Sequence, residues 1–200
     1  MARLAVLVLL LAHGFAARAG DLDEIRRKLD AHSHVRADFV QTRRMKDLQR
    51  PQVARGRMLA WGASGVIWEI QEPLRATYVL RESTTIQIVD GRETERAAQD
   101  DAASARIGRI LKSLFQGDAN ALGQWFDIAA RVAPERWTIT LTPHAGPLAS
   151  YLKSMQVAGA EYVERVDIEE SDGDSTQIRF RNHRDGGALS DEERRLLGAG

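Results

Sequence analysis

Residues 64–74 read SGVIWEIQEPL, and their alternation decides what kind of protein this is. Val66, Trp68 and Ile70 fall on one side of an extended chain, and Ile67, Glu69 and Gln71 on the other. Pro73 stops the run. The segment therefore reads as a strand whose Trp lies on an apolar face. The question is whether that face is a filled core or the lining of a space that takes up something else.

The same period continues on both sides. VRADFVQTRR (35–44) and ARGRMLAW (54–61) precede the segment, and ATYVLRE (76–82), TTIQIVD (84–90) and ETERAA (93–98) follow it. The pair Asp90-Gly91 is a hairpin signal. Tyr78 with Leu80, and Ile86 with Ile88, give these strands one apolar side, the pattern of an antiparallel sheet with one wet face. Farther along, WFDIAARV, RWTITLT, KSMQVAG, YVERVDIEE and TQIRFRN are five more strands, and SDGDS is the hairpin loop between the last two.

Helical spacing occurs in two places. DLDEIRRKLDAH begins with Asp21 and Glu24 in a capping pattern and carries Leu22, Ile25 and Leu29 on one stripe. Residues 100–116 carry Ile107, Ile110, Leu111 and Leu114, with Gly117 as a stop. The C-terminal LSDEERRLLGAG reads as a polar tail of weak helical character. The inventory is α+β but mainly β, about ten or eleven strands with two helices. Two stacked sheets satisfy this pattern, and so does one strongly curved sheet capped by the helices.

The N-terminus adds a compartment. Arg3, the apolar run Leu4 to Leu11 and the sequence Ala17-Arg18-Ala19 make a secretory signal, with cleavage expected after Ala19. The expected mature chain, residues 20–200, is one domain of 181 residues. Without Arg3 and Arg18 it holds 26 basic and 28 acidic residues, a net charge of −2. That balance argues against a nucleic-acid partner and against a strongly anionic membrane surface. There is no cysteine, which excludes disulfides, thiolate metal sites and a lipid anchor on an N-terminal Cys.

The order of the marks resembles a known family. Phe39-Val40-Gln41 is followed by Gly56 at the head of a strand, then Trp68, then Pro73, then the polar hairpin 89–91 and the helix around 107–115. This is similar to the periplasmic lipoprotein carriers of the LolA type, with their F-x-Q, later G, and W-x(4)-P. The resemblance implies a single strongly curved antiparallel sheet, an unclosed β-barrel, with a helical lid over a hydrophobic cavity. It implies a non-enzymatic carrier, without cofactor or metal, that takes an acylated lipoprotein or lipid from an inner-membrane transporter to an outer-membrane acceptor. On this reading the cavity is lined by Phe39, Met58, Val66, Trp68, Ile70, Tyr78, Leu80, Ile86, Ile88, Ile107, Ile110, Leu111 and Leu114. The molecule is expected to be a monomer in the periplasm.

The chain departs from the family at three positions. Gly62 and Ala63 stand where an Arg-Pro pair is frequent, and Ile67 where an Arg often precedes the Trp. That Arg of the pair is linked in the family to latching the lid. The segments RRMKDLQRPQVARG and GVIWE look closer to a divergent branch, some of whose members sit beside pathways for aryl-polyene lipids. A lipid-binding accessory role in polyene or glycolipid assembly is therefore an alternative. A periplasmic enzyme using a carboxylate on the sheet is an alternative of another class.

Other constellations are weaker. Arg43, Arg44, Lys46, Arg50, Arg55 and Arg57 form a basic stretch, and Arg43, Arg44 and Arg55 are its candidates for docking an acidic partner or lipid headgroups. His32 with His34 lacks a third metal ligand. Asp172 and Asp174 around Gly173 are explained by a hairpin turn. Glu69 with Glu72 is expected on a wet surface, and Ser150 near His144 lacks a nucleophile elbow.

Overall fold

The computed structural model describes residues 19–81, 84–97, 110, 112–113 and 119–199. The expected signal segment 1–18 lies outside them, as do Ile107, Leu111 and Leu114 of the second expected helix. Of that helix Ile110, Lys112 and Ser113 are described, all helical.

Helix α1 (Ala19–Ala31) leads into β1 (His34–Arg44), β2 (Gln52–Trp61), β3 (Gly65–Glu72), β4 (Ala76–Leu80), β5 (Thr84–Val89) and β6 (Arg92–Ala97). A short α2 (Ala119–Gly123) precedes β7 (Phe126–Ala133), β8 (Arg136–Pro143), β9 (Leu152–Gly159), β10 (Val163–Glu170) and β11 (Ser175–Asp185), and α3 (Asp191–Leu197) closes the chain. The eleven strands make one antiparallel sheet in the order β6-β5-β4-β3-β2-β1-β11-β10-β9-β8-β7. Two meanders are thus joined where β1 pairs with β11. The sheet is not closed: β6 and β7 are its free edges. A sandwich is ruled out by this single ladder.

Local chemistry accounts for the joints. Asp90 and Gly91 both have positive φ, 50° and 73°, as the hairpin signal requires. Helix α1 begins two residues before Asp21, whose carboxylate instead accepts the backbone N–H of Val132 at 3.4 Å and ties α1 to the β7 edge.

The C-terminus corrects the sequence reading. It is a capped helix. Glu193 N–H donates to Ser190 Oγ at 3.2 Å, and Glu193 Oε2 accepts from Ser190 N–H at 2.8 Å. This S-x-x-E capping box, with Gly198 in the left-handed region at φ 64°, was present in the sequence as a helix signal. Leu196 and Leu197 are buried against Leu59, Ile67, Val79 and Ile86. The outer face of the sheet is therefore dry where α3 crosses it.

Candidate functional site

Among the described residues the inner face carries one continuous apolar cluster drawn from nine strands, β1 to β4 and β7 to β11, with Ile25 and Leu29 of α1 and Ile110. Its centre is aromatic. Phe39 stacks on Trp68 with centroids 4.0 Å apart, and Trp68 meets Phe180 edge-on at 5.9 Å. Gly56 lies opposite Phe39 across the β1–β2 ladder. A Cβ there would sit 2.7 Å from the Phe39 ring and 1.9 Å from the Glu69 carbonyl oxygen. The spaced Phe, Gly and Trp of the sequence thus have a packing reason: the glycine leaves room for the phenylalanine ring to lie over β2 and reach the indole.

The second meander repeats the device. Trp137 faces Gly159 across the β8–β9 ladder, a Cβ on Gly159 would lie 2.8 Å from the Trp137 ring, and the indole N–H donates to the Ala160 carbonyl at 2.8 Å. Trp137, Phe126, Met155, Val166 and Phe180 are all buried parts of this face that sequence reasoning did not single out. The alternation of the five later strands was the signal available for them.

Of the expected lining residues, Phe39, Met58, Val66, Trp68, Leu80 and Ile110 are buried in this cluster, and Ile70 and Tyr78 pack half-buried against it. Ile86 and Ile88 do not belong to it. In β5 the partner of Tyr78 is Gln87, and the partner of Val79 is Ile86. Ile86 and Ile88 therefore face outward, in the cluster under α3. The expectation assumed that the outer face was wet throughout; α3 makes it dry at β5, so the apolar residues point there. Gln87 takes the inner side and donates to Tyr78 Oη at 3.3 Å. Ile67 also faces the outer cluster, so the position that often holds an Arg in the family points away from the inner face. Gly62, with φ 44°, begins the 3-10 turn between β2 and β3 beside His34.

The basic stretch is divided by strand alternation. Arg43 shares the inner parity of Phe39 and is held by Glu170 Oε2 at 3.1 Å and Asp174 Oδ2 at 3.3 Å. Arg44 and Arg55 point outward into a polar recess of about 700 Å³, whose wall includes Thr140, Gln156, Arg165 and Arg179. In it Asp167 accepts from Gln177 Nε2 at 2.8 Å. The three arginines expected to act together do not form one patch.

The weaker constellations resolve as local structure. Glu170, Asp172 and Asp174 converge, yet Asp172 Oδ1 accepts Asp174 N–H at 3.0 Å as a turn, and Asp174 Oδ1 accepts Lys46 N–H at 3.1 Å. With the Arg43 guanidinium already among these carboxylates, the positive charge is supplied by the chain. Burial holds the Glu170 carboxyl above its ordinary value, with Arg43 opposing. Ser150 Oγ donates to the Pro147 carbonyl at 2.6 Å, and His144 pairs with Asp127 at 3.4 Å, so serine and histidine are not joined. Glu69 accepts from Gln71, and Glu72 meets Arg55 at 3.6 Å. His32 turns to Glu161 at 3.1 Å while His34 lies against Trp61.

An open antiparallel sheet with one continuous apolar inner face is an unclosed half-barrel. The chain belongs to the LolA-like outer membrane lipoprotein carrier protein family, whose pattern matches residues 14–178. Among solved structures it is similar to a LolA superfamily protein from Nitrosomonas europaea, at 10% identity and TM-score 0.50 over 86% of this chain and 96% of that one. It is also similar to a putative outer membrane lipoprotein-sorting protein domain from Vibrio parahaemolyticus, at 7% identity and TM-score 0.50 over 88% and 96%. At such identities the likeness is one of fold. Among curated protein sequences none matches the chain.

Proposed function

We propose that this protein is a periplasmic carrier that shelters the acyl chains of a lipoprotein or lipid against its inner face and moves them from inner to outer membrane without making or breaking a bond. The observation that carries the reading is the inner face itself: apolar across nine strands, and left half-buried at Ile70 and Tyr78 beside the Phe39–Trp68 stack. An acyl chain costs about 0.8 kcal/mol per methylene to expose to water. A carrier must offset that with apolar surface and still release its cargo. A face whose residues give up contacts with one another, or with helical side chains such as Ile110, to make contacts with cargo does both. Family membership supports the class of cargo.

The test is binding of a fluorescent fatty-acid probe, read by energy transfer from tryptophan, with Trp68→Phe to separate Trp68 from the other three tryptophans. Saturable binding that loses most of its transfer in the variant is expected. Absence of binding by any acylated probe would overturn the reading. Mass spectrometry of ligands retained by protein from its native periplasm distinguishes a lipoprotein from a polyene or glycolipid cargo.

A further inference from the structure

Six large apolar side chains are exposed among the described residues: Leu48, Val53, Leu74, Val89, Trp125 and Tyr151. Strand direction places all six at one end of the sheet. β1 ends there at Arg44 and β2 starts there at Gln52, which brings in Leu48 and Val53. β3 ends and β4 begins there, around Leu74, and β5 ends there at Val89. β7 begins there just after Trp125, and β9 just after Tyr151. The opposite end, formed by the turns at 62–64, 134–135 and 160–162, exposes none of the six. Leu74 is 80% exposed, and Trp125 and Tyr151 60% each.

The loops that present these side chains are held to one another. His144 N–H donates to the Trp125 carbonyl at 2.9 Å, and Ser171 N–H to the Tyr151 carbonyl at 3.0 Å. Lys46 N–H donates to Asp174 Oδ1 at 3.1 Å, which joins the loop of Leu48 to the β10–β11 turn. On the same rim Lys46, Arg50, Arg75 and Arg92 are exposed, and so are Asp47, Glu72, Asp90 and Asp172. Several of its carboxylates meet bases of the chain: Glu170 and Asp174 meet Arg43, and Glu169 meets Lys153 at 3.1 Å.

We propose that this rim is a membrane-docking edge, which settles on a phospholipid surface with Trp125, Tyr151, Leu48 and Leu74 entering the headgroup–acyl boundary. The composition is that of an interface: Trp and Tyr have an apolar body and a polar tip, and Lys and Arg can extend their charge to phosphate. The spacing favours lipid over protein. The six side chains stand singly on separate turns and strand ends, from β5 to β7, nearly the width of the sheet. A protein interface needs a contiguous apolar centre, whereas a bilayer accepts side chains one at a time along a plane. Docking stands apart from the carrier reading, since it requires nothing of the inner face.

The experiment is flotation of the purified protein with vesicles of phosphatidylethanolamine and phosphatidylglycerol. The protein is expected to float with them at low and at high salt, since apolar side chains carry the contact. Because each exposed side chain contributes on the order of tenfold to partitioning, the double variant Leu74→Ser/Trp125→Ser should lose at least about tenfold in bound fraction. Its thermal midpoint should be unchanged, as both residues are exposed. Brominated acyl chains should quench tryptophan emission in the wild type, and less in Trp125→Phe. Failure of the wild type to float, or equal flotation by the double variant, overturns the proposal and leaves a protein partner as the occupant. Flotation without uptake of a fatty-acid probe would keep the docking edge and remove the carrier.

Discussion

Arg36 grips Glu193 through two parallel hydrogen bonds, Nη1 to Oε1 at 2.5 Å and Nη2 to Oε2 at 3.0 Å, and so fastens α3 to the outer face of β1. The same arginine donates from Nε to the Gly186 carbonyl at 2.7 Å. At the other end of the helix Arg81 donates to the carbonyls of Leu196 and Arg195 at 2.7 and 3.0 Å.

This pair makes stability depend on acid. The Arg36 hydrogen bond holds the Glu193 carboxyl down at about 2, below its ordinary 4.5. A carboxyl lowered by folding contributes fully above its unfolded value and loses that contribution as pH falls toward the folded one. The window is therefore between about 4.5 and 2. Glu193→Gln should cost on the order of 2–3 kcal/mol at pH 7, and its stability should fall less steeply than that of the wild type across that window. Urea melts at a series of pH values measure both.

Burial beneath α3 gives a second expectation. Leu197 is 3% exposed in the outer cluster. Leu197→Ala should cost about 2–4 kcal/mol, and hydrogen exchange should quicken in β3 to β5, where Ile67, Val79 and Ile86 lose their cover. A helix that served only as a solvated tail would leave exchange there unaltered.

Gly56→Ala tests the packing of the aromatic centre. The new Cβ meets backbone at the Glu69 carbonyl as well as the Phe39 ring, so the strand itself must move. A loss of about 2 kcal/mol or more is expected, with a change in tryptophan emission as the Phe39–Trp68 stack opens. Gly159→Ala should act alike in the other meander through Trp137.

Reversing Arg43 should harm the fold before it harms any partner contact. Arg43→Glu would set a third carboxylate beside Glu170 and Asp174, whose side chains are 22% and 11% exposed. A lowered thermal midpoint, partly recovered at acidic pH as the carboxyls protonate, is the expected result. Arg44→Glu, on the outer recess, should leave the midpoint within about 0.5 kcal/mol of wild-type stability.

Much of this molecule was legible in the chain. The period of two located all eleven strands, with every end but one within two residues and β11 running three residues past Asn182, because a strand with one buried face must alternate. SGVIWEIQEPL placed Val66, Trp68 and Ile70 together, and the structure keeps them together on the inner face. Three things required the tertiary structure. Whether the apolar side of β5 faced in or out depended on α3, more than a hundred residues later, since a strand records which residues are dry but not which cover dries them. The basic stretch read as one patch until pairing sent Arg43 inward and Arg44 outward. The exposed apolar rim was invisible, because Leu48, Leu74, Trp125 and Tyr151 are far apart in sequence and share an end only once antiparallel strands bring their turns into one plane. Alternation is a local property and survives in the sequence; cover, partner and rim are relations between distant segments, and only folding creates them.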